Sequence, residues 1–107
     1  AKTFPKIIRE IRAVNPDVKI YADNIYNPAK GIDAFSQVYS VADAYINRMN
    51  RGFYPSDEYV LVDIKKCFDG EKESMVNLSF KGREIDPHPS EKGHKKIAQM
   101  VIKAMER

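Results

Sequence analysis

Apolar positions recur at two different periods along this chain, and the switches between them outline its elements. Phe4, Ile7, Ile8 and Ile11 fall at helical spacing behind Thr3, which can cap a helix. Asn15-Pro16-Asp17 stops that helix. Val18-Lys19-Ile20-Tyr21-Ala22 alternates and predicts a strand reaching toward Ile25. A polar loop from Asp23 to Pro28 follows, and Gly31 marks a further turn. Phe35, Val38, Val41, Ala42, Tyr45, Ile46 and Met49 make one face of a second helix, ended near Gly52 and Pro55. Tyr59-Val60-Leu61-Val62-Asp63-Ile64 is a nearly continuous apolar run, which predicts a strand buried on both faces. Residues 65–80 carry two readings. Val76, Leu78 and Phe80 alternate behind an Asp69-Gly70 turn signal, so the segment is a strand or a loop. Ile97, Ala98, Val101, Ile102 and Met105 form the stripe of a last helix, with Lys and Glu opposite.

The predicted order is α-β-α-β-(β or loop)-α, an α/β pattern with a parallel sheet and right-handed crossovers. Two parallel strands are too few for a stable sheet of this kind. Further strands are expected from sequence outside this chain or from another chain that pairs with an exposed strand edge. The opening Ala1-Lys2-Thr3-Phe4-Pro5 enters a helix at once and does not look like a translation start. Residues 1–107 therefore read as a fragment of one domain. Its length of 107 residues suits a single modest core.

Charge narrows the partners. The net charge is +3, with Asp and Glu interspersed among Lys and Arg. Lys65-Lys66 and Lys95-Lys96 are short pairs rather than a basic face, so no nucleic-acid partner is expected. No apolar run approaches ~18 residues, so no membrane span is expected. The single cysteine, Cys67, excludes an internal disulfide framework and a Cys-rich zinc site. It leaves the compartment open between cytoplasm and exterior. No metal or cofactor is implied.

The chemistry concentrates in Ile85-Asp86-Pro87-His88-Pro89-Ser90. Prolines fix φ on either side of His88, so the imidazole sits on a stiff turn. Ser90 then begins the last helix. In an open α/β sheet, ligands bind beyond the carboxyl ends of the strands. Three loops fall there: Asp23 to Pro28, Asp63 to Phe68, and the loop holding Asp86 and His88. An aspartate beside an imidazole can orient the ring and stabilise its cation, so that the other nitrogen acts as a base. The plain structural reading also stands: Asp-Pro is a common turn, and loop histidines are usually solvated.

Asp86-Pro87-His88-Pro89 with Gly93-His94-Lys95-Lys96-Ile97-Ala98 resembles the last block of the SGNH (GDSL-type) esterases and lipases. Asn15-Pro16 before a strand, Tyr26-Asn27-Pro28, and Val62-Asp63 with Phe68 are similar to the segments that precede it. The resemblance covers the whole chain, matched to the C-terminal half of the family domain. It implies a flavodoxin-like three-layer α/β/α sandwich and a serine hydrolase of small-molecule or lipid esters. By position, His88 would be the general base and Asp86 its orienting acid. The family also carries Gly-Asp-Ser and Gly-x-Asn-Asp blocks, and neither occurs here. Ser36, Ser40, Ser56, Ser74, Ser79 and Ser90 all lack the nucleophile's context. Many members place the Asp three residues before the His, where this chain has Ile85; a backbone carbonyl is then an alternative partner for the ring. The missing partner implied by the resemblance is the N-terminal half of the same protein.

Other residues carry two readings each. Asn24 and Asn27 line a substrate cleft or form turns. Asp63 caps a turn or serves catalysis, His94 packs or caps at the helix start rather than holding a metal, for which the sequence offers no partner set, and Cys67 is a small packed side chain rather than a nucleophile. Tyr39 and Tyr45 are expected in core or interface packing. The rival to the hydrolase is a self-contained α/β binding or interaction module with no chemistry at His88.

Overall fold

The computed structural model describes residues 3–29, 36–53, 58–77, 80–81 and 84–106. Helix α1 (Thr3–Val14) buries Ile8 against Ala22 and Tyr59, with Phe4, Ile20 and Leu61 packed around them. The Phe4 ring lies 4.6 Å from that of Phe53 and 5.1 Å, edge-on, from that of Tyr59. The Arg12 guanidinium then gathers the carbonyls of Pro16, Val18 and Glu58. One side chain thus ties the end of α1 to the entrances of both parallel strands.

Strands β1 (Tyr21–Asp23) and β2 (Val60–Val62) pair in parallel, with Tyr21 opposite Val60 and Asp23 opposite Val62. Helix α2 (Ser36–Asn50) lies between them in sequence. Successive strand residues point to opposite faces. Ala22 and Leu61 accordingly join the α1 cluster. Tyr21 and Val62 join a second cluster of Ile64, Phe68, Met75 and Val76, onto which Ile97, Met100 and Val101 pack from helix α4 (Glu91–Met105). The chain is a mixed α/β fold with a two-stranded parallel sheet and a small core on each face.

The apolar run at 59–64 does not form one strand buried on both faces. Val62 is buried, but Val60 is 38% exposed at the sheet edge. The run is cut at Asp63, whose carboxylate accepts the Lys66 N–H at 3.0 Å and caps helix α3 (Ile64–Asp69). Ile64 is therefore the first residue of a helix, and the segment after it begins neither as strand nor as loop. Further on, strands β3 (Phe80–Lys81) and β4 (Glu84–Ile85) pair antiparallel, and Val76 bridges Pro89. The alternation of Val76 and Phe80 does mark paired backbone; Leu78 lies outside the described residues, as do Gly31, Phe35 and Pro55.

The second helix departs most from expectation. Its predicted apolar face is largely uncovered: Val38, Val41, Tyr45 and Met49 are exposed, and among the described residues of that face Ile46 alone is buried. Tyr45, expected in packing, is 64% exposed.

Candidate active site

An antiparallel ladder sets the position of the Asp86–Pro89 turn. Asn77 N–H donates to the His88 carbonyl at 2.9 Å, and Ser90 N–H donates to the Met75 carbonyl at 2.8 Å. Ser90 also caps α4, its Oγ accepting the Gly93 N–H at 3.1 Å. Gly93 is required by this join. A Cβ there would press into the Met75 carbonyl more closely than real Cβ atoms approach, and into the Pro89 ring. The turn, the helix start and residue Met75 are thus locked together through backbone.

Within the turn, one Asp86 carboxylate oxygen accepts the His88 backbone N–H at 3.0 Å and meets the His88 ring Nδ1 at 2.6 Å. The Asp86 carboxyl is held below its ordinary range, first by the His88 backbone N–H, then by the His88 ring, with Asn77 adding to the effect. An ionised carboxylate only accepts, so Nδ1 carries the proton in this contact. That leaves Nε2 as the basic nitrogen. The ring side chain is 80% exposed, so Nε2 is open to a reactant. The Asp at two-before does reach the imidazole, through the tight turn that Pro87 makes.

Tyr26, in the loop after β1, holds the turn as well. Its hydroxyl donates to the Pro87 carbonyl at 2.7 Å, and its ring lies 5.0 Å from that of Phe68. Burial and the Asp86 charge both push the phenol's pKa up, so it stays a donor. The sequence gives no role to Tyr26 beyond the resemblance; an aromatic in an Asn/Pro loop was the available signal.

The other predicted residues lie in networks of their own. Asn24 donates to Asp63 at 2.7 Å and accepts the Lys65 N–H at 2.9 Å, bracing the β2–α3 corner. It also lines a polar cavity of about 290 Å³ with Asn47, Asn50 and Lys66. Asn27 is 1% exposed; it bonds the Tyr39 carbonyl, the Asp43 carboxylate and the Ala29 N–H, which fastens the β1 loop to α2. Beneath it Lys65 bridges Asp43 at 2.9 Å and Asp69 at 2.6 Å, and Tyr39 donates to Asp69 at 3.4 Å. Burial alone would lower the Lys65 ammonium, but hydrogen bonds to Asp69 and Asp43 overcome it and hold it above its usual value. This cluster was not legible in the sequence, because its members come from α2 and α3.

No protein-family model, curated protein or solved structure matches the chain. What this site can do therefore rests on its geometry. Of the serines, Ser74 is occupied with Val76 and Ser90 with Gly93. Cys67 is half-buried in α3, and burial raises its thiol pKa against the weaker pull of Lys96, which disfavours the thiolate. His94 is exposed, and its N–H continues α4 onto the Ser90 carbonyl. Among the described residues no three His, Cys, Asp or Glu side chains converge as metal ligands. Nor is any described helix long and apolar enough to cross a membrane.

Proposed function

We propose that this chain is the C-terminal portion of an SGNH-type hydrolase domain that cleaves a carboxylic ester, flavodoxin-like and three-layered when complete. The observation that carries the reading is the 2.6 Å contact between Asp86 and the His88 Nδ1. It leaves an exposed Nε2 on a turn braced at both ends. Small cores on both faces of the sheet and the uncovered stripe of α2 fit a domain with more layers to add.

In the complete enzyme a serine from the absent half attacks the ester carbonyl. His88 Nε2 takes the serine proton and passes it to the departing alcohol. Asp86 keeps Nδ1 protonated and stabilises the imidazolium as it forms. Water then repeats the sequence on the acyl-enzyme, with His88 as base.

The test compares two proteins on p-nitrophenyl acetate. This chain alone shows no turnover above buffer, because nucleophile and oxyanion donors are missing together. A longer product of the reading frame that carries Gly-Asp-Ser hydrolyses the ester, and His88→Ala lowers its kcat by about 10³-fold or more. Turnover by this chain alone that His88→Ala abolishes would sink the proposal. So would a longer product indifferent to that substitution.

A further inference from the structure

The edge of β2 turned away from β1 forms one wall of a groove of about 710 Å³. Val60, Leu61 and Val62 all line it. Consecutive strand residues point to opposite faces, so three in a row can share a groove only along the strand's edge. The opposite wall is α4, through Lys96, Met100 and Lys103, one face at i, i+4 and i+7.

The hydrogen-bond pattern says which backbone groups face the groove. Val60 N–H donates to the Ile20 carbonyl, and the Val62 carbonyl accepts from Asn24. In a parallel ladder alternate residues turn both polar groups to the same neighbour. Val60 and Val62 are therefore spent on β1, and Leu61 directs its N–H and C=O into the groove. Among the described residues no strand pairs there.

The charge around this edge is one-sided. Lys66, Lys96 and Lys103 line it. Lys96 meets Glu71 at 3.1 Å, whereas Lys66 and Lys103 enter no ion pair among the described residues. The one carboxylate in the lining, Asp63, is turned to Asn24 and the α3 cap. A second copy pairing edge to edge would set these lysines against their own equivalents, at a cost in like-charge repulsion.

We infer that this edge takes an acidic peptide segment as an added strand, paired to Leu61 through its backbone, with its carboxylates facing Lys66 and Lys103. Backbone pairing supplies the register, and the apolar side chains of Val60 and Met100 receive alternate residues of the guest. This inference is independent of the chemistry at His88.

The probe is a seven-residue peptide of alternating glutamate and valine, blocked at both ends, added to the ¹⁵N-labelled chain. Exchange of the Leu61 amide should slow about tenfold or more on saturation, as a newly bonded N–H does. Affinity should fall as salt rises, and the double variant Lys66→Glu with Lys103→Glu should bind roughly tenfold more weakly. Both lysines are exposed, and the variant's amide spectrum reports its fold. A lysine-valine peptide that binds equally well overturns the inference. So does equal binding by a glutamate peptide with proline at its centre, which keeps charge but cannot pair, or by single-stranded DNA. An unchanged Leu61 amide in the wild-type chain overturns it without any variant. Slowing that rises with chain concentration and needs no peptide assigns the edge to a second copy instead.

Discussion

At the scale of single residues, the Asp86–His88 turn shows how much a two-residue spacing can do. One carboxylate oxygen serves both the backbone N–H and the ring of His88. The backbone bond is the larger cause of the depressed Asp86 pKa, and the ring comes second. This ordering makes a sharp prediction. His88→Ala removes the ring but keeps the N–H, so the Asp86 carboxyl should still titrate below 3.8. Carbon-detected NMR of the Asp86 side chain measures the midpoint. A return to the ordinary value in His88→Ala would show that the ring, not the turn, holds the charge.

At the scale of elements, the site depends on how α4 begins. The last helix was legible from its stripe, and Ser90 as its cap from residue type. Nothing in the sequence says why residue 93 is glycine. The reason is the Met75 carbonyl, which lies against the first turn of α4 and accepts the Ser90 N–H beside His88. Gly93→Ala should cost about 1–3 kcal/mol, as overpacking against backbone does. The urea midpoint should fall, and amide shifts should concentrate at Met75, Asn77 and His88. An Ala variant as stable as the parent, with those amides unmoved, would refute this close approach. Helix α3 shows the reverse case. It is six residues long, too short for a period to be read, and its capping aspartate sits inside an apolar run.

At the scale of the whole molecule, the half-buried ion cluster couples the β1 loop, α2 and α3. Asp43 is opposed by desolvation, yet hydrogen bonds from Lys65 and Asn27 leave its pKa below 3.8. A carboxyl whose folded pKa is depressed stabilises the fold above its unfolded value. That contribution is lost as pH falls below 3.8 through the folded value. Lys65, raised above 10.5, acts in the opposite sense: its share is whole below 10.5 and is lost as pH rises through the folded value. Asp43→Asn should therefore flatten the acid limb of stability against pH, while Asp86 and Glu73, both depressed, keep part of it. Urea titrations between pH 2.5 and 5, about the carboxylate range, read the slope directly. An unchanged slope in Asp43→Asn would remove Asp43 from the account.

The sequence by itself determined the α/β alternation, the long helices α1, α2 and α4, the existence of two short parallel-type strands, and the stiff turn around His88. These follow from local periods, prolines and a cap, each of which acts over a few residues. Tertiary structure alone decided the rest. It drew Asp86 onto Nδ1, set Tyr26 against Pro87 across 61 residues, and joined Asp43 to Lys65. It also left most of α2's apolar stripe uncovered, because burial depends on what packs against a face and not on the face itself. A pattern of residues states which groups are able to meet; the path of the backbone between them decides which ones do.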